Sequence, residues 1–160
     1  DRYKARLVAK GFTQQVGLDF TDTFSPIAKL TTVKTLLTIS AVRGWLLVQL
    51  DVNNPFLMVT FMKGVYVVTQ GFHSKGENLV CKLNKSLYGL KQTSRQWYSK
   101  FSTTILKYGF KQSKSDYSLF TKKFNQTFIA LLVYVDDILI ASNDVQEVED
   151  LKSYLNHDFK

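Results

Sequence analysis

Phe128-Ile129-Ala130-Leu131-Leu132-Val133-Tyr134-Val135-Asp136-Asp137-Ile138-Leu139-Ile140-Ala141 is an apolar run broken by two neighbouring acids. Burying one unpaired carboxylate costs several kcal/mol, and two that repel each other cost more. The run is too short to cross a bilayer. It reads instead as two apolar strands, Phe128–Tyr134 and Ile138–Ala141, separated by Val135-Asp136-Asp137. One arrangement puts the acids at the exposed tip of a hairpin. A two-residue hairpin turn needs positive φ, however, and normally recruits Gly or Asn rather than a residue such as Val135. The other reading gives the tip divalent cations, which turn clustered carboxylates from a liability into ligands.

A third acid points the same way. Leu46 to Val52 is rich in β-formers and reads as a buried strand, with Asp51 near its C-terminal end and the turn signal Asn53-Asn54-Pro55 behind it. If this strand lies beside the 128–141 hairpin, three carboxylates converge at one edge of a sheet. Such a trio suits two magnesium ions acting on phosphate, as in polymerases and nucleases.

The remaining elements are mixed. Tyr3 to Lys10 alternates basic and apolar residues like a strand, ended by Gly11. Val33, Leu36, Leu37, Ser40 and Ala41 share a helical face, with Thr31 or Thr32 as N-cap and Gly44 closing the helix. Val65–Val68 and Leu79–Leu83 look like a strand pair joined through 71–78. A helix from near Ser86 or Gln92 to about Tyr108 carries Leu90, Trp97, Phe101 and Ile105 as its apolar stripe, with Lys91 and Arg95 on another face. Asp144-Val145-Gln146-Glu147 resembles a capping box opening a helix with Val148, Leu151 and Leu155 inward. Without strict βαβ alternation, the fold class is α+β with a largely antiparallel sheet.

The chain has 160 residues, 45% of them apolar and 21% charged, which suits one globular domain and not a disordered tail. Its one cysteine, Cys81, excludes an intramolecular disulfide and a thiolate zinc site. The opening at Asp1-Arg2-Tyr3-Lys4, without a start methionine, reads as part of a longer protein. Net charge is +8, and ten basic residues lie between Cys81 and Lys123 against a single acid, Asp116. Tyr88, Trp97, Phe101, Tyr108 and Phe110 are interleaved with them. The mixture suits a phosphate backbone with bases stacked nearby; it also suits a solvated face whose aromatics belong to the core.

Five ordered blocks resemble the reverse transcriptase of copia-type LTR retrotransposons. They are Lys4-Ala5-Arg6-Leu7-Val8-Ala9-Lys10-Gly11-Phe12, Phe24-Ser25-Pro26-Ile27-Ala28-Lys29, Gln49-Leu50-Asp51-Val52-Asn53-Asn54, Cys81 to Gln92, and Tyr134-Val135-Asp136-Asp137-Ile138-Leu139-Ile140. The resemblance implies the palm and part of the fingers of a right-hand polymerase, as a single 1–160 domain of a pol polyprotein, with integrase and RNase H elsewhere in it. It implies Asp51, Asp136 and Asp137 as catalytic residues. These, with the backbone carbonyl of Val52, would hold two Mg2+ ions, for which Mn2+ could substitute. Lys4, Arg6, Phe56, Tyr88 and Gly89 would meet the incoming dNTP, Phe56 as a steric gate against ribose and Gly89 by allowing close backbone approach. Lys91, Gln92, Arg95 and Tyr134 would meet an RNA or DNA template-primer. No membrane is implied; the location would be a cytoplasmic virus-like particle or the nucleus.

Two departures stand out. After Leu57 the family usually continues with a His-Gly-Asp-like turn and acids, whereas this chain has Met58-Val59-Thr60-Phe61-Met62-Lys63; and Pro55 stands where the family favours Ala. They leave open a catalytically inactive remnant that binds nucleic acid through the basic stretch. A metal-dependent nuclease is a third reading.

Overall fold

The computed structural model describes residues 7–52, 55–59, 65–67 and 80–159, without the side chains of 65–67, 80 and 81. Lys4 and Arg6, Asn53-Asn54, and the 71–78 connection therefore lie outside the described residues.

Helix α1 spans Leu30–Arg43 and ends at Gly44, which takes φ 63° as a left-handed cap. Its start departs from expectation. Thr31 and Thr32 lie inside the helix, Lys29 holds the N-cap position, and no N-cap side chain bonds the first turn. A carboxylate from far along the chain takes over: Asp116 accepts the Lys29 N–H at 3.0 Å and the Thr32 hydroxyl at 2.6 Å. Negative charge suits the positive end of a helix dipole.

Strand β1, Leu46–Asp51, follows. Strands β2 (Val65–Val67) and β3 (Val80–Lys82) pair antiparallel, as the sequence suggests. Helix α2, Thr93–Lys107, buries Trp97, Phe101 and Ile105, and Leu90 just ahead of it is buried too. Strands β4 (Lys111–Gln112), β5 (Leu119–Phe124), β6 (Thr127–Tyr134) and β7 (Asp137–Ser142) complete the main sheet. Helix α3, Val145–Asp158, starts where expected, with Asp144 accepting from the N–H groups of Gln146 and Glu147. Only half the capping box forms, because the Glu147 side chain pairs with Lys122 instead.

The five-stranded sheet runs β1-β7-β6-β5-β4, antiparallel throughout. One face packs on α2 and α3 through Leu131, Val133, Ile138 and Ile140 against Trp97, Phe101 and Val148. The other carries a smaller cluster in which Leu36 of α1 meets Ala130, Leu132 and Ala141. Cover on both faces explains why 128–141 is continuously apolar rather than alternating.

Two expectations need correction. Among the described residues strand β1 lies at the edge of the sheet, its residues alternating between half-buried and exposed, not as a buried strand; a run of β-formers does not show how many neighbours a strand has. Among the described residues, 7–10 form no strand either. Val8 makes one isolated parallel bridge to Tyr88, and a short 3-10 turn follows at Gly11–Thr13. Strand β5 has no clear signature in the sequence, since Lys122 and Lys123 blur its alternation; the turn that pairs it with β6 has Asn125 at φ 53°.

Candidate active site

Strands β6 and β7 meet at the pair Tyr134–Asp137, so the turn holds two residues, Val135 and Asp136. Asp137 belongs to the strand rather than to the connection. Val135 has φ 55°, a conformation that costs a β-branched residue on the order of 1–3 kcal/mol. The glycine-like geometry that the sequence seemed to argue against is thus adopted by valine. Two hydrogen bonds hold it. The Trp97 indole N–H donates to the Val135 carbonyl at 2.8 Å, and the Val52 N–H donates to the Asp136 carbonyl at 3.0 Å.

Strand β1 does lie beside the hairpin. It pairs with β7 in a register that sets Asp51 directly opposite Asp137. Directly paired residues share a face with their Cβ atoms about 5 Å apart, where like charges repel. Asp51 is exposed and Asp137 half-buried, and Gln49 Nε2 donates to Asp137 Oδ1 at 3.0 Å. Asp136 stands one residue further on, in the turn. Among the described residues no three acidic, histidine or cysteine side chains converge closely enough to cage an ion. In kind, the donors fit a hard divalent cation, which takes carboxylate and carbonyl oxygens. In placement, the backbone brings Asp51, Val52, Asp136 and Asp137 to one corner of the sheet.

The neighbouring residues are held mainly by one another. Phe56 sits in the 3-10 turn Pro55–Met58, only 5% exposed, with its ring edge-on to Tyr88 at 4.4 Å. At Gly89 the close approach in this structure is to the chain's own backbone. Gly89 has φ 91°, a Cβ there would fall 2.2 Å from the Ala9 carbonyl oxygen, and one on Gly11 would fall 1.9 Å from that of Gly89. The Ala9 N–H donates to the Tyr88 carbonyl at 2.7 Å.

The residues assigned to nucleic acid are engaged internally as well. Lys91 Nζ donates to the Gln14 carbonyl at 2.9 Å and lies over the Phe20 ring. Arg95 pairs with Asp22 at 2.8 Å. Gln92 is buried, its amide oxygen accepting from Gln14 Nε2 at 2.9 Å, so it does not stand on an open surface. Tyr134 is exposed at the strand end. Of the aromatics interleaved with the lysines, Trp97, Phe101 and Phe110 are core residues, the second of the two readings that the sequence left open for them. Sequence reasoning missed Gln14, Gln49 and the polar end of Trp97. Helical spacing marks Trp97 as core but says nothing of where its N–H points, and the two glutamines carry no local signal.

The family model described as reverse transcriptase (RNA-dependent DNA polymerase) matches residues 1–160. The chain is 49% identical over 146 residues to the retrovirus-related Pol polyprotein from transposon RE1 of Arabidopsis thaliana, covering 90% of this chain and 10% of that protein. It is 44% identical over 161 residues to the Pol polyprotein from transposon TNT 1-94 of Nicotiana tabacum, covering 99% of this chain and 12% of that one. The chain thus spans about a tenth of these relatives' length. No solved structure matches it significantly. A family match along the whole chain and relatives at 44–49% identity place this protein in the reverse transcriptase (RNA-dependent DNA polymerase) family, in its copia-type retrotransposon Pol branch.

Proposed function

We propose that this chain is the palm, with part of the fingers, of an RNA-directed DNA polymerase that joins deoxynucleotides to a primer 3′-hydroxyl on an RNA or DNA template. The observation that carries the reading is the pairing of Asp51 with Asp137 beside the Asp136 turn. The antiparallel sheet is the palm, and the 7–24 stretch bound to residues 88–95 is the fingers part. Asp51, Asp136, Asp137 and the Val52 carbonyl would hold two Mg2+ ions, or Mn2+ in their place, which when bound supply charge neutralisation on the triphosphate and a more acidic primer hydroxyl. The chain's own contribution is placement: β1 and β7 deliver carboxylates from two strands, and Gln49 orients Asp137. Lys4 and Arg6 are proposed to hold the triphosphate, Phe56 to lie under the sugar, and Tyr88 and Gly89 to pack against the nascent base pair. Lys91, Arg95 and Tyr134 border the template side. In this reading the chain works within a Pol polyprotein.

The test is primer extension with Mg2+, Mn2+ or EDTA, using this chain in place of the matched segment of the RE1 polyprotein. Asp136→Asn should lower extension by about 1,000-fold, the scale of several kcal/mol of lost charge stabilisation, while salt-sensitive template binding persists. Equal loss of binding and synthesis would count against the ligand role. A second reading, an inactive remnant that binds nucleic acid, draws on the altered 55–63 segment and on lysines such as Lys107, Lys111 and Lys114 that stand exposed. It predicts the same binding with no extension in the unaltered chain.

A further inference from the structure

The turn that carries Asp136 is held against its own preference. Val135 keeps a left-handed φ of 55°, and its side chain contributes no hydrogen bond to stabilise it. A β-branched residue persists there only where its surroundings over-determine it. Two elements do so. The Trp97 indole N–H donates to the Val135 carbonyl from α2, and the Val52 N–H donates to the Asp136 carbonyl from the end of β1. Trp97 is 1% exposed and wedged against Phe101 and Phe159, with ring centroids 5.6 and 5.1 Å away. It cannot follow the turn if the turn moves. Neither bond uses a carboxylate oxygen, so holding the turn costs Asp136 none of its ligand atoms.

We propose that Trp97 is a positioning residue for the carboxylate-bearing turn: by fixing the Val135 carbonyl it maintains the left-handed turn and thereby sets Asp136 relative to Asp51. The proposal rests on the polymerase reading above. If Val135 relaxed to negative φ, the turn would pass to a geometry that splays the flanking strands. Asp136 would move away from β1, and the buried indole N–H would lose its acceptor.

The test is Trp97→Phe, which keeps a ring in the core and removes the N–H, alone and combined with Val135→Gly. Mn2+ binding is measured by paramagnetic resonance, and single-nucleotide addition by rapid quench, in the RE1 polyprotein carrying this chain. Trp97→Phe should weaken Mn2+ binding about tenfold and lower kcat about 100-fold, the effect of a displacement near 1 Å. KM for dNTP and duplex affinity should stay within about twofold. Val135→Gly should restore most of the loss, because glycine takes positive φ freely. Unchanged Mn2+ binding and kcat in Trp97→Phe would overturn the proposal. So would a loss that tracks thermal stability and is not recovered by Val135→Gly, since that is the mark of packing alone. Asp136→Asn, run beside these, separates the two levels. If it abolishes both readouts while Trp97→Phe moves neither, only the Trp97 role fails; if it too moves neither, the carboxylate reading fails and takes the Trp97 role with it.

Discussion

Phe56 stands between two roles, a member of the main core and a candidate gate beneath the sugar of an incoming nucleotide. Its burial and its edge-on contact with Tyr88 serve the first role directly. Truncation to alanine would confuse the two, because emptying a core site of this size costs about 3–5 kcal/mol. Phe56→Leu keeps most of the volume and costs roughly 1.5 kcal/mol or less. If the ring is the gate, this change should raise ribonucleotide incorporation relative to deoxynucleotide in competition assays; an unchanged ratio would leave Phe56 as core alone. At this scale the acids are the most legible part of the sequence. Asp51, Asp136 and Asp137 interrupt or end apolar strands, where a carboxylate is costly to keep unless a cation or solvent meets it. Gln92 is the least legible. Its partner Gln14 lies far upstream, and no local pattern records a contact made only by folding.

At the scale of elements, α1 illustrates how a helix end is completed from elsewhere. Burial pushes the Asp116 carboxyl upward, but the Ser118 and Thr32 hydroxyls and the Lys29 and Ser118 amides outweigh it and hold the group below the usual carboxylate range. A lowered folded-state pKa means the unfolded chain binds the proton more readily. The carboxylate's stabilisation is therefore present above the ordinary value of about 3.9 and is lost as pH falls through the lowered one. Asp116→Ala, which leaves buried donors unpaired, should cost about 1–3 kcal/mol near neutral pH. The gap between variant and wild type in denaturant unfolding should close as the solution is acidified below pH 4 or so. A gap that persists unchanged in acid would show that the carboxylate's charge is not what ties α1 down. Helices α2 and α3 are readable from spacing and capping, because Trp97, Phe101 and Ile105, or Val148, Leu151 and Leu155, recur on one face. The edge position of β1 and the existence of β5 are not, since strand neighbours are chosen by the sheet and not by the strand.

Across the whole molecule, charge is uneven. The sheet's two faces are closed by helices, so the lysines of the 81–123 stretch have mainly the outside to occupy; Lys107, Lys111, Lys114 and Lys123 are exposed. If this outer charge meets a phosphate backbone, each contact releases counterions. Replacing Lys111 and Lys114 together by glutamine should then make the log-affinity against log-salt plot shallower by about two units. An unaltered slope would place nucleic acid on another surface. Sequence composition announces the charge but leaves the aromatics between two readings: Trp97 and Phe101 hold α2 to the sheet, while Tyr134, at the strand end beside the acids, is exposed.

The contact between Gly11 and Gly89 has an evolutionary corollary. At each of these sites a single methyl group would collide with main chain on the other segment, and no rotamer change relieves such a clash. Two codons widely separated in the gene therefore act as one heritable character. In copies under selection both sites should stay glycine while the surface lysines drift, and a side chain at either marks a copy that selection no longer holds.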